Sequence, residues 1–286
     1  ELPIGLQKLP TDSGEEANIF TGEPAQTLNY GIFLPPRTTT HDGVRIEVGQ
    51  AEGMQSHFFG VPRFTGDWPI GPNGPLTSLL SLRFDDVPEA PPNMPASGWL
   101  NVFYDFKQRD WGNSIAINRH WLVSMTQEST PRHSEPPADA IREQIPIHFS
   151  EDMGVPGDRN SPFHTLGGNP LWIQTDERVT AHLMSGQYMK DQATLSAMAE
   201  AGVRPETFME PDLDALLAAC RALDHHRIAP ERFHPGVAEW QLLLQIDSDE
   251  RLDLELGDAG RIYVLIPTGS LKARRFEDCW VVMQCY

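Results

Sequence analysis

The stretch that most constrains this chain is residues 240–286, WQLLLQIDSDERLDLELGDAGRIYVLIPTGSLKARRFEDCWVVMQCY. Three apolar runs stand in it, at 242–246, 262–266 and 280–283. Each is short, rich in β-branched or aromatic residues, and bounded by Gly, Asp or Pro. Runs of that length and texture read as strands of a buried sheet rather than as helices. The connection between the first two carries Asp247, Asp249, Glu250, Asp253, Glu255 and Asp258 against one cation, Arg251. The stretch therefore predicts a sheet core with an acidic rim.

Upstream, residues 32–34 and the alternating Val44, Ile46 and Val48 are strand candidates. Arg45 and Glu47 interleave with the latter, so one face is expected to be wet. Residues 56–75 read as a Gly/Pro-rich loop holding Trp68, and 76–84, 99–106 and 115–125 as further strands. Residues 126–144 are polar and contain Pro, a connecting loop or linker. After His164 the texture changes. Residues 185–201 place Tyr188, Leu195, Met198 and Ala199 at helical spacing and stop at Gly202 and Pro205. Residues 211–223 open on Pro211 with Asp212 and Asp214 in the first turn, a second helix.

The two halves repeat one another in order. FFGVP (58–62) parallels LGGNP (166–170), and LTSLLSLRFDD (76–86) parallels WQLLLQIDSD (240–249). SGWLNVFYDF (97–106) parallels AGRIYVLIPT (259–268), and RHWLVSM (119–125) parallels DCWVVMQ (278–284). The pattern is a duplicated loop–strand–strand–strand unit. Repeat one spans about 56–125, a linker 126–163, and repeat two about 164–286 with a helical insertion at 185–224. Residues 1–50 form an N-terminal segment packed on the core. The expected fold class is α+β, antiparallel β-sheets from two pseudo-repeated units with a helical insertion in the second.

The charge balance matters for partners. Lys and Arg number 22 against 40 Asp and Glu, a formal charge of −18. That argues against direct binding of nucleic acid, whose affinity for proteins rests largely on phosphate attraction. It fits a basic protein partner, and equally a merely soluble acidic protein. The three cysteines, Cys220, Cys279 and Cys285, match no zinc or redox spacing and read as reduced buried thiols. No apolar run approaches 18 residues, so no membrane span is expected. The start lacks a basic and an apolar leader region; because it also lacks Met, a removed leader stays an open alternative. The expected location is the cytoplasm.

LGGNPLWIQ (166–174), LLLQIDSD (242–249), GDAGRIYVLI (257–266) and RFEDCWVVMQCY (275–286) resemble the signature blocks of the YwqG-like family, a bacterial domain of unknown function. The resemblance extends more loosely through 59–82 and 98–106, and so covers roughly 50–286. The first glycine motif is reduced, FGVP standing where Gly-Gly is expected. The resemblance implies an α+β fold on antiparallel sheets with a pseudo-duplicated core, and brings no established enzymatic activity with it. Similar domains are encoded beside bacterial toxins, where they are suspected immunity proteins.

Catalytic and metal motifs are missing from the sequence. Asp247, Asp249 and Asp253 hint at a calcium loop, but the fifth and sixth positions hold Arg251 and Leu252, and a solvated acidic loop is the default. His225 and His226 are adjacent, about 100° apart on a helix, and with His234 read as helix-end cations rather than ligands. Gly167-Gly168 reads as a turn into a strand, not a phosphate cradle. Most tryptophans lie on apolar runs and read as core. Trp68 and Trp111 lie in polar loops beside Asp67 and Asp110 and are the candidate exposed anchors.

The sequence thus points first to an interaction protein, a cytoplasmic immunity protein that inhibits a cognate basic toxin such as a nuclease. Its contact residues would be Asp247, Asp249, Glu250, Asp253, Glu255, Asp258, Trp68 and Trp111, with no cofactor and no metal. The alternative is an enzyme or small-ligand-binding domain with a site at the repeat junction, using Gly168, Gln174, Asp247 and Asp258. A structural domain with no site is the third reading.

Overall fold

Alternation at 44–48 and the apolar runs downstream assemble into one sheet. The computed structural model describes residues 7–10, 16–19, 43–108, 120–127, 132–150, 162–174, 176–186 and 235–286. The strands are β1 (Gln7–Pro10), β2 (Glu16–Ile19), β3 (Gly43–Val48), β4 (His57–Phe58), β5 (Thr65–Gly66), β6 (Ile70–Gly71), β7 (Gly74–Pro75) and β8 (Thr77–Arg83). They continue with β9 (Trp99–Tyr104), β10 (Trp121–Thr126), β11 (Arg132–His133), β12 (Ile145–Ser150), β13 (His164–Gly167), β14 (Trp240–Asp247), β15 (Arg261–Pro267) and β16 (Trp280–Gln284). Ten of these form a single sheet in the order β10-β9-β8-β4-β12-β3-β13-β14-β15-β16. All its neighbours run antiparallel.

The sheet curls until its two edges approach. Trp121 on β10 meets Trp280 on β16 edge to face, with ring centroids 5.0 Å apart. The Tyr104 hydroxyl lies 3.9 Å from Met283 Sδ. The enclosed core is apolar and spans both ends of the chain, from Val44 and Ile46 through Leu80, Leu82 and Val102 to Val264, Ile266 and Val281. Burial of each such side chain contributes about 1.5–3 kcal/mol. A second cluster of Phe64, Trp68, Leu76, Phe103 and Ala140 lies under the 59–76 segment.

The fold is therefore mainly β, and the α+β class expected from the sequence is corrected. Three short helices occur among the described residues, α1 (Arg178–Met184), α2 (Pro235–Ala238) and α3 (Thr268–Lys272). The physical reason is that the core is closed by the sheet folding over on itself, so no helical layer is needed to cover it. The expected helices at 185–201 and 211–223 fall on residues outside the described ones, apart from 185–186. The stretch read as a linker supplies a strand from the middle of the sheet: β12 pairs with both β3 and β4.

The sheet ends in two meanders of the same order, β4-β8-β9-β10 on one side and β13-β14-β15-β16 on the other. The second strand of each carries a bulge, between Ser78 and Leu80 in one and between Leu242 and Leu244 in the other. Counted from the bulges, Ser81 corresponds to Gln245, and their neighbours Asn101 and Tyr263 correspond as well. Both pairs grip one residue of a crossing loop. The Arg63 N–H donates to Ser81 Oγ and Asn101 Nδ2 donates to the Arg63 carbonyl. The Leu171 N–H donates to Gln245 Oε1 and the Tyr263 hydroxyl donates to the Leu171 carbonyl. Different side chains thus meet the same requirement, that a loop laid over a sheet have its backbone polar groups bonded.

Candidate functional site

Beyond β14 the chain makes a tight structure rather than a solvated loop. Leu252, Leu254 and Leu256 are buried and alternate with the exposed Arg251, Asp253 and Glu255. The Asp249 N–H donates to the Leu254 carbonyl, and the Leu254 N–H donates back to the Asp249 carbonyl. Ser248 Oγ accepts from the Leu256 N–H and donates to the Gly260 carbonyl. A 3-10 turn at Glu250–Leu252, closed by the Asp249–Leu254 bridge, makes 249–256 an acidic ribbon pinned by its buried leucines. The ribbon walls an open cleft of about 710 Å³. Asp247, Asp249, Glu250, Asp253, Glu255 and Asp258 all line it, and Arg251 is the cation in its lining.

Only some of those carboxylates face solvent with their charge unspent. Asp249 is buried, and its carboxylate accepts from His164 Nε2 (3.0 Å), from the Arg251 N–H (2.9 Å), and from Arg251 Nε and Nη2. Burial alone would raise this carboxyl; the bonds from His164 and Arg251 outweigh it and hold it well below the usual carboxylate range. Asp247 is buried too. It accepts from the Phe163 N–H, Gln245 Nε2 and Arg261 Nε (2.9 Å). Burial pushes its carboxyl up, against the opposing pull of Arg261. Asp253 is held by Arg142, whose Nη2 donates to its Oδ2 at 3.0 Å. Glu250, Glu255 and Asp258 are exposed and form the free rim.

Behind the cleft wall, Asp247 and Asp249 join a buried polar network. The Asp247 N–H donates to His164 Nδ1 at 3.1 Å, and His164 Nε2 donates to Asp249 Oδ2 at 3.0 Å. Arg261 Nη1 donates to the Leu171 carbonyl at 2.7 Å, the same oxygen that Tyr263 reaches. Burial pushes the Tyr263 hydroxyl far above its ordinary range, so it serves as a donor. His164, Arg261 and Arg142 hold the cleft residues Asp249, Asp247 and Asp253 from outside the lining, Tyr263 shares the Leu171 carbonyl with Arg261, and sequence reasoning missed all four. Arg261 and Tyr263 lay in a strand correctly read as buried, where a charged residue that stays inside is a signal of pairing. For His164 and Arg142 no local signal exists.

The remaining expected residues fare differently. Trp68 is not an exposed anchor. It is only 5% exposed, sits edge to face against Phe64 and Phe103, and its Nε1 donates to the Leu76 carbonyl. Trp111, His225, His226, His234 and Cys220 lie outside the described residues. Gly168 and Gln174 do not line the cleft with Asp247 and Asp258. Gln174 is instead tied to the last strand, its Nε2 donating to the Cys285 carbonyl and its N–H to Gln284 Oε1. In the sheet order, β12 and β3 stand between the two meanders, bonded to each other and to β4 and β13. Among the described residues, no three His, Cys, Asp or Glu side chains are grouped so as to hold a metal ion. Among them, too, no helix is long and apolar enough to cross a membrane.

Fold and site together define an antiparallel β protein with two like meanders and a rigid acidic ribbon on one of them. The chain belongs to the DUF1963 family, a domain of unknown function, whose family model matches residues 56–285. No curated protein matches it.

Proposed function

We propose that this chain is an interaction protein whose acidic ribbon docks a basic partner protein, and that the partner is a cognate bacterial toxin directed at nucleic acid. One observation carries the reading. Three buried leucines lock the ribbon backbone while Glu250, Glu255 and Asp258 stay exposed around an open cleft. Charges fixed in advance lose little freedom on docking. A chain of formal charge −18 also steers a basic partner toward itself over a Debye length, about 8 Å at physiological salt. The same charge repels nucleic acid. A toxin that binds nucleic acid presents a basic face, and covering that face occludes its active site.

The resemblance of the C-terminal blocks to YwqG-like proteins, similar domains of which are encoded beside toxins, supports the toxin as partner. A cytoplasmic location belongs to the same proposal. The test is capture of a neighbouring basic gene product by the tagged chain at low and then moderate salt, followed by an assay of that product on DNA and RNA. Inhibition at near-stoichiometric chain is expected. Capture without inhibition, or no capture of any neighbouring product, counts against the reading.

A further inference from the structure

Arg142 reaches the ribbon from the segment between β11 and β12. Its Nη2 donates to the carbonyls of Leu252 (3.2 Å) and Asp253 (2.8 Å) and to Asp253 Oδ2 (3.0 Å). Its guanidinium carbon lies 4.0 Å from the centroid of the Phe59 ring, which is itself buried. Asp253 takes a left-handed conformation (φ 46, ψ 43) as it closes the turn Glu250–Leu252. That conformation sets two carbonyls and a carboxylate where one nitrogen meets all three. An aromatic floor with a carboxylate and carbonyls at its edge is the complement of a planar cation-donor fork.

The Arg142–Asp253 ion pair is open to solvent. The Asp253 side chain is fully exposed (100%) and that of Arg142 is 31% exposed, so their ion pair is screened by water and salt. The flanking ribbon gives no second cation to this spot, since Arg251 is committed to Asp249.

We infer that Phe59, Asp253 and the 252–253 carbonyls form a guanidinium-binding seat filled by the chain's own Arg142, which an arginine side chain of a docking partner takes over. Arg142 then works as an internal placeholder: it keeps the seat formed in the free protein and weakens docking by competition. The inference deepens the docking proposal and rests on it for the source of the incoming arginine. The seat itself is a property of the free chain.

The experiment therefore uses no partner. Melting of the full chain is followed for wild type, R142A and R142K with L-arginine amide, and with L-lysine amide as the control for charge alone. Arginine amide is expected to raise the melting temperature of R142A by about 2 °C near saturation. Lysine amide does much less, wild type responds only weakly because Arg142 competes for the seat, and R142A/D253A loses the response. If R142A does not fold, R142K carries the same comparison, because an ammonium leaves the planar seat unfilled. Equal shifts for wild type and variant, or equal shifts from the two amides, overturn the seat. Failure here leaves the ribbon's docking role to be judged by the capture experiment, which does not depend on Arg142.

Discussion

Ser56 and His164 stand at equivalent positions of the two meanders and make the same pair of bonds. Each precedes the residue that pairs with the bulged strand, His57 with Ser81 and Thr165 with Gln245. Ser56 Oγ accepts from the Arg83 N–H and donates to Asp86 Oδ2. His164 Nδ1 accepts from the Asp247 N–H and its Nε2 donates to Asp249 Oδ2. In both cases a side chain ties the last residue of one strand to a carboxylate just beyond it. In the second meander that carboxylate anchors the acidic ribbon.

Replacing His164 by Ala strands the buried Asp247 N–H and removes one donor from the buried Asp249 carboxylate, which keeps those of Arg251. Urea unfolding should show a loss of about 2–4 kcal/mol. S56A should lose about 1–2 kcal/mol, since the buried Asp86 carboxylate keeps the Gln55 and Ser56 N–H groups as donors. H164S should not recover the loss, since the shorter side chain spans only one of the two contacts. Equal stability of H164A and wild type would remove the tie from the account.

Asp249 makes an acid-limb prediction with a defined sign. Its carboxyl is depressed in the folded chain, so the stability it contributes is complete above the ordinary carboxylate value of about 4. That stability is lost as pH falls below this value toward the folded one. Melting temperature followed from pH 7 downward should therefore drop below about pH 4 in wild type. D249N should be less stable at pH 7 and show a shallower drop. Parallel curves for the two proteins would contradict the assignment.

Trp68 belongs to the second core, so its removal is a stability event. W68A should cost about 3–5 kcal/mol. W68F should cost about 1 kcal/mol, since it keeps most of the ring contacts and loses the bond to the Leu76 carbonyl. An unchanged melting temperature in W68A would mean that Trp68 is a surface residue after all.

Gly260 sits where a Cβ would lie 1.9 Å from the Leu256 carbonyl oxygen and 2.5 Å from that of Gln284. Both obstacles are backbone, so neither can step aside cheaply. G260A should fold poorly or lose at least about 4 kcal/mol. Near-UV circular dichroism and melting of the variant check this, and a native-like G260A would show that the ribbon closes less tightly.

Much of the sheet is legible because its signals are local. The runs at 242–246, 262–266 and 280–283 became β14, β15 and β16, and the alternation of Val44 and Ile46 with Arg45 and Glu47 became β3. β12 was hidden because Pro146 interrupts it and His148 and Ser150 thin its apolar pattern; its place is fixed by pairing with β3, about a hundred residues away. Trp68 misled for a like reason. GDWPIGPNG reads as a loop, and the rings that bury Trp68 come from Phe64 and from Phe103, on β9. The fold class failed because helical spacing at 185–223 was given the weight of a layer, while closure of a sheet on itself leaves no mark on local periodicity. The acidic residues of the cleft could be read in sequence. The His164–Asp249 tie and the Arg142 seat could not, because each joins residues about 85 and 110 positions apart.

The most direct measurement is a binding titration of the basic toxin proposed as partner against wild type and the triple charge reversal E250K/E255K/D258K, at low and physiological salt. The three side chains are exposed, so the variant should melt close to wild type. The account predicts at least about a hundredfold loss of affinity at low salt, with a flatter salt dependence in the variant. Equal affinity of the two folded proteins would contradict docking on the acidic ribbon.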